Sequence, residues 1–218
     1  MPKSKPLRFK SPDLPEKIKE QFKKFINDHP TTTSAAKVLF GLAVFGGVLT
    51  AAVVVPGVVS TIGRSTNNRK VEERKRYARL WQNFYRMKKE HSLVFCKEEN
   101  GADIYEFTKN GEKKFRRFVL ETLKIEAPLK WDGNWRIIIF DIPENRRLAR
   151  RSLQRKLSEI GCYPLQKSVW VHPFPCEEEI EFIKDVFNVK PFVYVLKASE
   201  MPNGKVLYHY RQMLKSHL

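Results

Sequence analysis

The sequence predicts an α+β chain in two parts, a helical module closed by a β-hairpin and then a small β-α-β-β-α-β layer. Three observations predict it. Apolar residues recur at helical spacing through much of the first 126 residues, interrupted by two alternating runs around Glu99-Asn100-Gly101-Ala102. Beyond a linker at 127–130, WRIIIF, SVWV and FVYVL are short runs of β-branched and aromatic residues. Two stretches of helical period, 146–160 and 177–187, lie between those runs.

Residues 1–33 read as a basic tail with one amphipathic helix, on which Leu14, Ile18, Phe22, Phe25 and Ile26 share a face. A docked helix is favoured over an arm on phosphate or lipid. Thr31-Thr32-Thr33-Ser34 supplies caps for a helix from about Ala35. Gly46-Gly47 ends it, and a second short apolar helix is expected to about Val55. A long basic helix follows, its apolar stripe drawn from Val71, Ala78, Trp81 and Tyr85, with Leu80, Phe84 and Met87 as further candidates. Asn100-Gly101 is a two-residue hairpin turn. Thr108-Lys109-Asn110-Gly111 closes the hairpin, and EKKFRRFVLETLKI resumes the helical period. Residues 34–126 thus run helix, helix, long basic helix, hairpin, helix, which is the order of a winged helix-turn-helix.

The remainder, 127–218, opens with a strand over 135–142 that Pro143 stops. The helix over 146–160 turns Ala149, Leu153, Leu157 and Ile160 inward, with Gly161 just past its end. A strand at 166–172 follows, then a helix at 177–187 with Ile180, Ile183 and Phe187 inward and Glu177, Glu178 and Glu179 at its N-terminus, where negative charge is favourable. The strand FVYVL comes last. One more strand is needed, either between the first helix and SVWV or near Val206–Tyr208. The pattern is a ferredoxin-like βαββαβ domain with a C-terminal extension.

Charge narrows the partners. Forty-one Lys+Arg against 24 Asp+Glu give +17 and a pI near 9.8, which favours DNA, RNA or an anionic membrane surface. Between Arg64 and Lys97 there are 11 Lys/Arg and 3 Glu, so the excess is concentrated in the long helix. Three cysteines, an odd count without a CxxC or a close Cys/His pairing, argue against a disulfide framework and a structural zinc site. They fit a reducing, cytoplasmic setting. No phosphate-binding GxxxxGK[ST], GxSxG elbow or HExxH is present. The uncharged stretch within 38–62 is long enough to span a bilayer, yet Gly46-Gly47 and Pro56-Gly57 divide it. Two buried helices are favoured over a membrane tether, which stays as the minor alternative.

Lys130-Trp131-Asp132 through Trp135-Arg136, Phe140-Asp141-Ile142-Pro143-Glu144 and Leu165-Gln166-Lys167-Ser168-Val169-Trp170-Val171 together resemble the central domain of PaaX-like transcriptional repressors. That domain is itself similar to the small CRISPR-associated subunit that partners the spacer integrase, described as a metal-dependent endoribonuclease. The resemblance covers about 128–198 and implies a ferredoxin-like fold that forms homodimers. The helices and hairpin before it look like the DNA-binding domain of the same repressors. The resemblance does not reach the further C-terminal domain of such repressors, and no acyl-CoA effector site is carried over.

A DNA-binding regulator on duplex DNA, associated with the nucleoid and needing no cofactor, is the favoured reading. Phosphate contacts are expected from Arg69, Lys70, Arg74, Lys75, Arg79, Arg86, Lys88 and Lys97, and from Arg146, Arg147 and Arg150. Asp141 matches the carboxylate that the CRISPR-type relatives place at the end of the first strand. The alternative is therefore a nuclease or an integrase-partnered adaptor, with Mg²⁺ held by Asp141 from two copies. A structural Asp141, capping the next helix or paired with Arg146 or Arg147, is favoured over a catalytic one. His172, at the end of the SVWV strand, is within reach of that site, but a structural role is favoured for a lone histidine before proline. Trp131 and Trp135 are expected to pack between domains.

Overall fold

The computed structural model describes residues 5–28, 35–44, 48–49 and 67–217. The chain divides into two compact units, 1–122 and 123–218. The described residues form seven α-helices and two four-stranded sheets, a mixed α+β architecture as the sequence predicts.

The first unit runs β1 (Leu7–Phe9), α1 (Glu16–Asp28), α2 (Ala35–Val44), β2 (Val48–Leu49), α3 (Asn67–Lys89), β3 (Leu93–Glu99), β4 (Ala102–Phe107) and α4 (Lys109–Thr122). The hairpin forms where Asn100-Gly101 predicts it, with both residues at positive φ (51° and 72°), the backbone that a type I′ turn requires. A bulge at Cys96 shifts the register between Phe95 and Lys97. β1 adds to the hairpin parallel to β4, with Leu7 opposite Asp103 and Phe9 opposite Tyr105. The sequence gives no sign of this three-residue strand. It forms because Leu7 and Phe9 reach the core while Arg8 between them stays exposed.

α1 docks through buried Ile18, Phe22 and Ile26, three of the residues that its apolar face predicts. α2 buries Val38 to Val44, and the Phe40 ring lies 5.1–5.3 Å from the rings of Phe107, Phe115 and Phe118. This part of the uncharged stretch is thus core. No helix among the described residues is long and apolar enough to cross a membrane. The expected second helix is corrected at Val48 and Leu49, which pair antiparallel with β1 as β2. β1 has an open edge there, and a strand satisfies it. The rest of that expected helix falls on residues outside those described.

On α3 the buried stripe is Leu80, Phe84 and Met87, not Ala78 and Tyr85, which are exposed. Both sets have helical period, so periodicity alone cannot choose. The sheet chooses: Phe84 packs edge-on against Phe9 and Tyr105, with centroids 6.4 and 5.0 Å away. α4 begins at Lys109, so Asn110 and Gly111 lie inside its first turn and not in the hairpin closure. Thr108 caps it, its Oγ1 accepting from the Gly111 N–H at 3.2 Å. A Cβ at Gly111 would stand 1.9 Å from the Ser92 carbonyl oxygen, so glycine is required by close approach.

The second unit runs β5 (Trp135–Phe140), α5 (Arg147–Glu159), β6 (Tyr163–Gln166), β7 (Val169–His172), α6 (Glu177–Val186), β8 (Val193–Ala198) and α7 (Gly204–Lys215). The sheet order is β6-β7-β5-β8, every pair antiparallel. The fourth strand lies between α5 and SVWV, the first of the two places expected. The other place, around Val206–Tyr208, is helical. Asn203 caps α7, its Oδ1 accepting from the N–H groups of Lys205 and Val206.

Register assigns the two faces of this sheet. Trp135 and Val171 face α7, where they pack with Val206, Tyr210 and Leu214. Ile138 and Phe140, one step along the pleat, are left to the layer that α5 and α6 build with Leu153, Leu157, Ile180 and Ile183. Trp131 packs edge-on to Trp135 at 5.5 Å and its Nε1 donates to the Pro173 carbonyl at 2.6 Å. Trp135 lies in the core of this unit and Trp131 packs against that core.

Candidate nucleic-acid interface

Burying Leu80, Phe84 and Met87 fixes the opposite line of α3. Lys75, Arg79, Gln82, Arg86 and Lys89 recur at i, i+4, i+7, i+11 and i+14 on that line, and all five are exposed. At 1.5 Å per residue the line is about 21 Å long. The Arg79 guanidinium and the Lys89 ammonium make no hydrogen bond or ion pair with a described residue. Arg86 donates to Asn83 Oδ1 at 2.6 Å and lies 3.9 Å from Glu90. Lys88 sits on another side of the helix, its Nζ 5.7 Å from the centre of the Tyr105 ring. Arg69, Lys70 and Arg74 lie on the first turns of α3, and their side chains are outside what is described.

Part of this charge serves the helix itself. α3 ends with His91 at φ 50°, the Ser92 N–H reaching the Met87 carbonyl and the His91 N–H that of Lys88. This is a Schellman cap with histidine where glycine is usual. Arg86, Lys88 and Lys89 occupy the last turn, where cations complement the helix dipole. Lys114 is used within the unit, donating to Glu90 at 2.6 Å and to Ser92 Oγ at 3.1 Å.

The hairpin differs in sign from the helix. Its strands carry Lys97 against Glu98, Glu99, Asp103 and Glu106. Lys97 lies 3.4 Å from Glu99, while Lys5 and Lys10 reach across to Glu98 and Glu106. A basic helix is thus followed by a hairpin of acidic composition whose carboxylates are largely matched by Lys5, Lys10 and Lys97, so it offers phosphate little net attraction.

In the second unit, Arg146 donates to the Asn188 carbonyl at 2.9 Å and lies over the Phe192 ring at 5.3 Å. Arg150 bonds the Ile142 carbonyl and Glu144, at 3.3 and 2.5 Å. These two brace the turn between β5 and α5, and Arg147 is exposed without a partner among the described residues.

Asp141 is exposed at the end of β5. Its N–H donates to the Phe192 carbonyl, and its carboxylate makes no hydrogen bond or ion pair with a described residue, Arg146 and Arg147 included. Among the described residues no group of three or more His, Cys, Asp or Glu could hold a metal ion. Within one chain the residues around Asp141 therefore do not fit a hard cation, which needs six or more oxygen ligands. His172 does not join it, since it pairs with Arg136 at the other end of β5, about 17 Å along the strand from Asp141.

The polar centre of this unit is elsewhere. Arg136 is buried and gripped by Asp132 and Glu177, with the Asn134 carbonyl completing the shell. The Arg136 guanidinium holds the Asp132 carboxyl down at about 2. Burial, helped by the Arg136 charge, lowers His172 to about 4, and its Nδ1 accepts from the Phe174 N–H at 3.1 Å. The signal was present in the sequence: an arginine one step along the pleat from Trp135 faces the same side as Ile138 and Phe140, and a buried guanidinium demands carboxylates.

Residues 128–206 match the family model of the PaaX protein central Cas2-like domain. The match falls inside the second unit and takes in Asp132, Arg136, Asp141 and His172. No curated protein matches the chain.

Proposed function

From the central domain of the PaaX-like family, which the chain carries at residues 128–206, we propose that it is a DNA-binding transcription regulator of PaaX-like type. The first unit, read as a winged helix-turn-helix, lays the outer line of α3 against duplex DNA. The second, read as ferredoxin-like from its β6-β7-β5-β8 order, joins two copies. One observation carries the reading: the exposed line Lys75, Arg79, Gln82, Arg86 and Lys89 stands opposite the buried stripe of the same helix. Cations on an exposed helical line about 21 Å long can meet several phosphates or enter a major groove.

The acidic hairpin sharpens this proposal. The helix supplies the phosphate contacts, and the hairpin contributes at most Lys97 near its tip. Specificity then rests on α3 and on DNA shape.

Duplex binding measured against salt is the test. Each phosphate contact contributes about 0.9 to the slope of log affinity against log salt. The double variant Arg79→Ser, Arg86→Ser is expected to lower the slope by about 2 and weaken binding to any sequence. Unchanged affinity and slope in that variant would defeat the proposal.

A further inference from the structure

α7 turns Val206, Tyr210 and Leu214 to the sheet, which leaves Lys205, Tyr208, Arg211 and Gln212 on its outer side. With His209 and with Tyr163 of β6 they line an open groove of about 550 Å³. The Arg211 guanidinium carbon lies 3.7 Å from the centre of the Tyr208 ring, and Tyr208 is 64 % exposed. His209 is bracketed by the rings of Tyr163 and Tyr210 at 4.9 and 4.7 Å.

The charge of this groove is unneutralised. Residues 204–215 contain no carboxylate, and neither Lys205 nor Arg211 makes an ion pair with a described residue. Stacking on Tyr208 orients the Arg211 plane, while its N–H edges bond no described residue. Arg86, Arg146 and Arg150, by contrast, all have partners within their own unit.

Flat π surfaces beside oriented, unpaired cations are complementary to a planar base carried on a phosphate. The base gains stacking on tyrosine and guanidinium, and the phosphate gains charge-assisted hydrogen bonds. An inorganic anion would leave the rings unused, and an acidic peptide would supply charge without a planar partner. We propose that the α7–β6 groove is a nucleotide-binding site, with the base stacked on the Tyr208–Arg211 pair and the phosphate met by Lys205 and the Arg211 edge. Asn203 already accepts from two N–H groups at the start of α7, so side chains rather than backbone must meet the phosphate. The ligand chemistry is that of a free mononucleotide or of an unpaired nucleotide in a single strand.

Equilibrium dialysis of the full chain at low salt tests the site, using AMP, ribose 5-phosphate as the base-free comparator of equal phosphate charge, and a labelled single-stranded decanucleotide. Saturable binding of AMP at least tenfold tighter than ribose 5-phosphate identifies a free nucleotide as the ligand. Binding of the decanucleotide alone identifies a single strand. In either case Tyr208→Ala is expected to weaken binding about tenfold, Tyr208→Phe to preserve it, and Arg211→Ala to weaken it. Circular dichroism checks the fold, and these exposed positions leave the core intact. The variant Arg79→Ser, Arg86→Ser is expected to bind as the parent does, which separates this site from the α3 line. Equal affinity for AMP and ribose 5-phosphate, insensitivity to both the Tyr208→Ala and Arg211→Ala changes, or no saturable binding of AMP or the decanucleotide would each overturn the proposal.

Discussion

Arg136 holds Asp132 through two parallel hydrogen bonds, Nη1 to Oδ1 at 2.7 Å and Nη2 to Oδ2 at 2.6 Å. The arginine side chain is 2 % exposed and the aspartate 40 %. The cation is thus the buried partner, and the carboxylate closes over it from the solvent side. A turn of sequence, Asp132 to Arg136, is tied by this pair to the N-terminus of α6 through Glu177, whose Oε1 lies 3.2 Å from Arg136 Nε.

Removing the carboxylate leaves a buried guanidinium short of its partner, a change that costs about 1.5–3 kcal/mol for a hydrogen bond to a charged group. Asp132→Ala is expected to lower the unfolding free energy by about that amount, measured in urea. The pH dependence has a fixed sign. Asp132 is held at about 2 in the folded chain against 3.8 ordinarily, so its contribution is present above about pH 4 and is lost as pH falls through 2. Solvent screening at its exposed edge reduces the size of that loss without changing its direction. In Asp132→Ala the decline between pH 4 and 2 should be shallower.

His172 gives a second acid-side dependence with a separate window. Buried and neutral, it is held to about 4 against an ordinary 6.5, so the unfolded chain binds the proton first. Stability should therefore fall as pH drops from about 6.5 to 4, by about 3 kcal/mol at most. His172→Asn retains an acceptor for the Phe174 N–H and cannot titrate. Urea melts of that variant should show a flatter profile over this window, and a profile as steep as the parent's would refute the assignment.

Gly111→Ala separates local propensity from packing. Alanine normally favours a helix over glycine by about 1 kcal/mol, yet here its methyl would meet the Ser92 carbonyl oxygen at 1.9 Å. That carbonyl also accepts from Thr108 N–H at 3.2 Å, so it is not free to move. The expected outcome is destabilisation by about 1–3 kcal/mol, seen as a lower Tm. A raised Tm would mean that the approach of α4 to the end of α3 is looser than described.

What the sequence disclosed follows from how each signal arises. Asn100-Gly101, Gly161 and the WRIIIF run act through local backbone chemistry or strong burial, and each element appears where its residues place it. β1 and β2 are invisible because three and two residues carry no period; they exist only because the β4 edge and then the β1 edge are available to pair. The face of α3 is a choice between two equivalent stripes, made by Phe9 and Tyr105 from distant sequence. Val206–Tyr208 reads as strand from its composition, whereas Asn203 and the apolar positions 206, 210 and 214 commit it to helix. For the candidate interface, clustering of Lys and Arg located the helix. That Arg146 is taken up by the Asn188 carbonyl, 42 residues away in sequence, needed the fold.

On the sheet face that α7 partly covers, Tyr194 lies opposite Ile139 and Leu196 opposite Ile137. Tyr194 is 60 % exposed and Leu196 51 %, on β8 at the open edge of the sheet. An apolar edge strand of this kind is a liability unless something covers it, and a second copy is the occupant that the proposed function calls for. Sedimentation equilibrium is expected to give a dimer for the parent chain and a monomer for Leu196→Glu, with circular dichroism unchanged because the side chain is already half exposed. If the chain binds duplex DNA as proposed, loss of the dimer in Leu196→Glu should also weaken that binding, since two linked half-sites are read more tightly than one. A parent chain that sediments as a monomer at micromolar concentration would remove dimerisation through this face from the proposed function, leaving the proposed α3 contacts with DNA to be judged on their salt dependence alone.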